Sequence, residues 1–252
     1  MLGCQNLRTA LVTGVSSLSL SVLRAFEGIG VLLCESFSLD GVLVTCNTPR
    51  NYKFGTVGTP LGANKVRISK SGEIEFCGPS APSDDSSWIT TDDIGSIDDD
   101  NFLTFISNKE EVIRTSNGTS VLPVPLEKKL KSHPLVSEAI LIGNARPHLV
   151  ALVTVEQGAL RKLAESKQKS VSEALADEKL RNRIVRHLTK RIGEHIDEVN
   201  EKLADWQKVR AHTVLLREFS ASEGEVSRNL RLNRKIIEER YKEAIDAMYS
   251  TD

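Results

Sequence analysis

Four cations crowd ten residues near the C-terminal end: VSRNLRLNRK, residues 226–235, carries Arg228, Arg231, Arg234 and Lys235. Guanidinium groups present a planar fork of donors that matches phosphate oxygens, so this stretch could hold a phosphate-bearing ligand such as coenzyme A. Charged side chains are mostly exposed in folded proteins, which favours the simpler reading of a solvated helix start. Asp98, Asp99 and Asp100 could suggest a calcium loop. They lack the ligand spacing and closing Glu of a helix-loop-helix calcium site, and a hairpin turn through Asn101 is favoured. Cys4, Cys34, Cys46 and Cys77 show no C-x-x-C spacing and no nearby His, so neither a zinc site nor a redox pair is supported, and reduced, buried thiols are expected. No metal site is expected, and no Ser-His-Asp arrangement can be assembled from local sequence.

The elements that must position these residues belong to a folded chain. Its 252 residues are 40% apolar and 27% charged, enough for one large domain or two ordinary ones. A formal charge of −1 argues against a nucleic-acid binder driven by counterion release. The charge is uneven: residues 1–107 hold seven Lys/Arg against twelve Asp/Glu, leaving +4 for the remainder, which suggests an acidic and a basic unit. No charged leader followed by an apolar run is seen at the N-terminus, so neither a secretion signal nor a transmembrane segment is expected, and a cytoplasmic location is.

Along the chain, Arg8 to Val12 reads as a strand and TGVSS as a turn. A helix capped by Ser19 then places Val22, Leu23, Phe26 and Ile29 on one face. GVLLCESF fits a buried parallel strand. NKVRIS and KSGEIEFCG form a hairpin with Ser71-Gly72 at its tip, and NFLTFIS follows the Asp turn. PSAPSDDSS reads as a loop. Next come a short helix ending near KSHP, the strands EAILIG and HLVALVTV, and a long helical region over 171–205. There Ile184, Leu188, Ile192, Ile196, Val199 and Leu203 make one apolar stripe, with His187 off it and His195 packed at its edge. The strand AHTVLL and a helix over Arg234 to Met248 close the chain.

The order of these segments resembles the adenylate-forming (AMP-binding) superfamily, and within it the long-chain fatty acyl-CoA synthetases. LRTALVTGVSSLSLSVLRAFEGIGVLLCESFSLDG is similar to the approach to the family's Y-G-x-T-E loop. GTVGTPLGANKVRIS and GEIEFCGPS resemble its G-x-V-G-x-P and G-E-I-x-x-R-G-P stretches. The segment from WITTDDIGSIDDD to SEAILIG is similar to the T-G-D motif, the D-R-x-K hinge and the start of the small domain, and LRLNRKIIEERYKEAIDAMY to the tail around the catalytic lysine. The resemblance implies an α/β plus α+β fold: residues 1–107 as the C-terminal part of the large domain, and 108–252 as the small C-terminal domain. It also implies ATP or AMP and coenzyme A as ligands. His133 falls in a segment like the family's H-P-x-V-x-E-A stretch, so a structural role is expected of it.

Residue by residue, the resemblance places the adenine-stacking aromatic at Phe37, the phosphate-contacting Thr at Asp40 and the magnesium-holding Glu at Gly41. An anion at residue 40 would face phosphate, at a cost of roughly 1 to 4 kcal/mol at about 4 Å. Thr91 and Asp93 match the T-G-D motif, whose carboxylate accepts ribose hydroxyls, while Asp92 replaces its Gly. The ribose-reaching Arg falls on Asn108, the hinge residue on Glu110, and the adenylation lysine on Arg231. Arg is no conservative replacement for a compact ammonium. The phosphate-cradling loop lies upstream of this chain's resemblance. The expectation is therefore a truncated ligase-like protein that does not adenylate fatty acids alone. The alternative is a non-catalytic nucleotide- or coenzyme A-binding pseudoenzyme or regulatory partner. An active synthetase, or a chain supplying the missing half, would be its partner, and an incomplete sheet edge near the N-terminus would be prone to pairing.

Overall fold

A computed structural model describes residues 6–13, 18, 20–39, 41–79, 81, 87–227 and 232–250. The chain divides into two compact units, Met1–Glu111 and Val112–Asp252.

In the first unit, β1 (Thr9–Thr13) is followed by α1 (Leu20–Gly28) and then β2 (Leu32–Leu39), which pairs parallel with β1. This is the strand-helix-strand crossover that the apolar run implied. β3 (Val42–Cys46) and β4 (Thr59–Pro60) continue the sheet antiparallel, leaving β1 at its edge among the described residues. The helix is less buried than its spacing suggests: Leu23 is 2% exposed, but Val22, Phe26 and Ile29 are 39%, 40% and 74% exposed. Among the described residues, β1 and β2 alone form the parallel ledge beneath α1, and a narrow row of side chains meets it. Ser19 lies outside the described residues.

The second sheet of this unit runs in sequence order: β5 (Lys65–Ile68), β6 (Glu73–Cys77), β7 (Ile89–Ile97) and β8 (Leu103–Asn108), all antiparallel. The β7–β8 turn is built by Asp98, whose Oδ1 accepts the N–H groups of Asp100 at 3.1 Å and Phe102 at 2.9 Å, while Asn101 takes φ +67°. Lys53 then binds Asp98 and Asp100 at 2.7 and 3.0 Å. The aspartates therefore serve a turn and a lysine, and among the described residues no group of three or more His, Cys, Asp or Glu is placed to hold a metal ion. Asp98→Ala should weaken this turn by roughly 1 kcal/mol in urea unfolding, since two backbone donors lose their acceptor.

In the second unit, a short ladder of β9 (Ile113–Arg114) and β10 (Ser120–Val121) leads into α2 (Pro123–Leu130). The central sheet is β11 (Val136–Ile142), β12 (Leu149–Val155) and β13 (Val209–Leu215), antiparallel then parallel. Every residue of β12 is buried. Its alternation sends Leu149, Ala151, Val153 and Val155 to one core and Val150 and Leu152 to the other, so helices must cover both faces. α3 (Gln157–Glu165), which the sequence reading missed, joins α2, α4 (Val171–Ala176) and α5 (Glu178–Asn200) on the first face; α6 (Arg234–Arg240) and α7 (Lys242–Tyr249) lie on the second.

Two expected helices are each broken in two. At Asp177 the backbone turns extended between α4 and α5, and its carboxylate caps α5 by accepting the N–H of Leu180 at 3.1 Å. Tyr241 separates α6 from α7. The apolar stripe of α5 is buried at Ile184, Leu188, Ile192 and Ile196, with Val199 and Leu203 packed at its end. No helix among the described residues is long and apolar enough to cross a membrane.

Candidate functional site

On β7 burial alternates, so Thr91, Asp93 and Gly95 point inward while Asp92 and Ser96 are exposed. Asp92 thus carries its charge on the face opposite Asp93. Thr91 Oγ1 donates to the carbonyl of Ile74 at 2.8 Å and accepts the N–H of Asp93 at 3.2 Å, fixing the strand where the carboxylate leaves it. Across the ladder, Asp93 lies opposite Asn108, and Asn108 Nδ2 donates to Asp93 Oδ1 at 2.9 Å. Three of the residues singled out from the sequence therefore meet at one sheet end. Asn108 Oδ1 accepts the N–H of Glu110 at 2.9 Å, holding the short 3-10 turn Lys109–Glu111 against the pair. Glu110 itself is exposed and lies one residue from the boundary between the units.

Ser107 and Glu111 complete the cluster and were not singled out. Glu111 Oε2 accepts from Ser107 Oγ at 3.2 Å and Asn108 N–H at 3.4 Å. Their signal was available: Ser107 is adjacent to Asn108, and a carboxylate three residues on can reach back across one turn. Lys109 forms an ion pair with Glu73, whose carboxyl is held below its ordinary range by the bonds from Lys109 and Ser71.

The other expected site residues lie elsewhere. Phe37 does not face an open groove: it is 2% exposed and packs in a core with Val44, Val57, Ile74, Phe76, Leu103 and Phe105. Its place opposite Thr45, beside a bulge in the β2–β3 ladder, turns the ring inward. Asp40, Arg228 and Arg231 lie outside the described residues. Gly41 has φ +82°, a conformation that L side chains rarely adopt, so the magnesium-binding Glu could not simply be restored there. Asp93 offers the acceptor chemistry that ribose hydroxyls would need, since a carboxylate accepts through about four lone-pair sites.

Arg234 is not available to a phosphate. Its Nη2 pairs with Glu127 Oε2 at 2.7 Å and its Nη1 donates to the carbonyl of Leu141 at 3.1 Å. Upstream, Glu225 is fully buried and receives Arg217 at 3.0 and 2.6 Å and the Ser220 N–H at 2.9 Å. Burial pushes its carboxyl up, but Arg217 and the Ser220 N–H outweigh this and leave it below the ordinary value. Its stabilisation is then present above the unfolded Glu value, about 4.3, and is lost as pH falls through the depressed folded value. Urea unfolding measured from pH 7 to pH 3 should show that loss, and Glu225→Gln should start lower and fall less.

A separate hollow of about 510 Å³ in the second unit is lined by Thr115, Asn117, Thr119, Pro147, His148, Asp205, Trp206 and Arg210. The Trp206 indole is 49% exposed there, and Arg210 pairs with Asp205 at 2.8 Å.

Residues 110–252 match the family model of the AMP-binding enzyme C-terminal domain. The chain belongs to this family. A long-chain-fatty-acid–CoA ligase of Mycobacterium tuberculosis is 27% identical over 96% of the chain, which spans 42% of that relative. Across the curated relatives it matches, the chain spans less than half of their length. Among solved structures, the adenylation domain of a carboxylate reductase from Mycobacterium chelonae superposes with TM-score 0.67 at 18% identity, over 96% of this chain and 38% of that one. The o-succinylbenzoate coenzyme A synthetase of Bacillus subtilis, solved with ATP and magnesium ion, gives 0.60 at 22% identity, over 90% and 46%. These likenesses show the mixed α/β fold of adenylate-forming domains.

Proposed function

We propose that this chain is a ligase-like AMP-binding protein of the long-chain fatty acyl-CoA type, which holds a nucleotide ribose through Asp93 and does not adenylate fatty acids on its own. The observation that carries the reading is the buried Asp93 carboxylate oriented by Asn108 at 2.9 Å. Relatives named for fatty-acid–CoA ligation, and a neighbour solved with ATP, support it. The inactive half of the reading rests on residues: Gly41 at the magnesium carboxylate, Asn108 at the arginine and Arg231 at the lysine. Glu110, beside the unit boundary, would be the hinge. The purified chain, given ATP, magnesium and a long-chain fatty acid, should release no AMP above a protein-free control, while AMP alone raises its melting temperature. AMP release that depends on both substrates contradicts the proposal.

A second reading, coenzyme A binding, is favoured by the exposed Trp206 indole over the 510 Å³ hollow, which offers an adenine ring a stacking face. Trp206→Ala should then abolish any melting shift given by coenzyme A while leaving the shift given by AMP.

A further inference from the structure

The solvent face of α5 carries charges in an unusual order. Lys179, Arg183, Arg186 and Lys190 recur at spacings of four, three and four, followed by Glu194, Asp197 and Glu201 at the same spacings. With 3.6 residues per turn these seven fall on one side, opposite the buried Ile184, Leu188, Ile192 and Ile196. All seven are exposed. The order opposes the helix macrodipole, which favours anions near the N-terminus and cations near the C-terminus, and the last turn has no basic residue. Local helix stability therefore does not account for it. Among the described residues the four cations, Asp197 and Glu201 form no ion pair, and Glu194 meets only Arg191, at 3.4 Å.

The stripe is complementary to itself about Lys190. Arg186 lies four residues before it and Glu194 four after; Arg183 seven before and Asp197 seven after; Lys179 eleven before and Glu201 eleven after. We propose that two copies of the chain pair through this face with their α5 helices antiparallel about a two-fold axis at Lys190. Each cation then meets the partner copy's anion at the mirrored position, and every contact is made twice. The two Lys190 ammonium groups turn out to solvent on their flexible stems. An anionic membrane or nucleic acid would suit the basic half but be repelled by the acidic half, whereas a second copy satisfies both.

Sedimentation equilibrium of the full chain tests this. The chain should dimerise at about 0.05 M salt and dissociate at about 0.5 M, since exposed pairs are screened. Arg183→Asp and Asp197→Arg, each at an exposed site, should each weaken association by roughly tenfold or more, because attraction becomes repulsion in two symmetric contacts. The double variant, in which the reversed charges face one another, should recover it. A chain that stays monomeric at low salt, a dimer indifferent to either reversal, or a double variant without recovery overturns the proposal. So does a monomer that binds phosphatidylserine vesicles through Arg183, which would assign the face to a membrane.

Discussion

An Arg234→Ala variant should lose about 3 kcal/mol of unfolding free energy in urea at neutral pH. Arg234 is 19% exposed at its side chain and Glu127 10%, so both charges sit largely out of water. Around them, Glu127 Oε1 accepts the Leu141 N–H at 2.7 Å while Arg234 Nη1 donates to the Leu141 carbonyl at 3.1 Å. Three bonds among six polar atoms thus tie α2, β11 and α6 at one point. Removing the guanidinium takes a counter-charge away from a buried carboxylate, which costs more than the net worth of the pair. Replacing both, as in Glu127→Leu with Arg234→Leu, should recover part of the loss, because neither charge then remains to be desolvated. A single variant that loses less than about 1 kcal/mol would show that water reaches the pair and screens it.

Leu188→Ala should cost about 3 kcal/mol by the same measurement, within the range of roughly 2 to 5 for a fully buried leucine. Leu188 is 0% exposed, with Ile184 and Ile192 one turn away on either side, and lies in the core built by β12 and the first-face helices. Close packing around a helix stripe collapses poorly into a void, so a cavity term adds to the lost transfer energy. Val199→Ala, at the half-buried end of the stripe, should cost about 1 kcal/mol. Equal losses at the two positions would mean that α5 is not seated by this stripe.

The fold was legible where periodicity was strong. The α5 stripe, the Ser71-Gly72 hairpin and the Asp98 turn repeat a physical rule within a few residues, and the structure has each of them. The breaks at Asp177 and Tyr241 were not legible, because an apolar pattern can run through a residue whose backbone leaves the helix. α3 was missed because its N-cap is Glu156, a less usual capping residue, whose Oε2 accepts from Ala159 N–H at 2.6 Å. At the candidate site, Thr91, Asp93 and Asn108 were singled out from the sequence, and the structure brings them together. The burial of Phe37 was not legible, since an aromatic residue gives no sign of which face of its strand is buried. Arg234 was misread since a cation gives no sign of a partner 107 residues away.

The most direct test of the central claim is a calorimetric titration of the chain with AMP and with 2′,3′-dideoxy-AMP. Hydrogen bonds to a charged acceptor are worth about 1.5 to 3 kcal/mol each, so the analogue lacking both hydroxyls should bind more weakly by roughly a hundredfold or more. Asp93→Ala should erase that difference. Equal affinity for the two nucleotides in the unaltered chain, or no binding of AMP at all, would contradict a ribose site at Asp93.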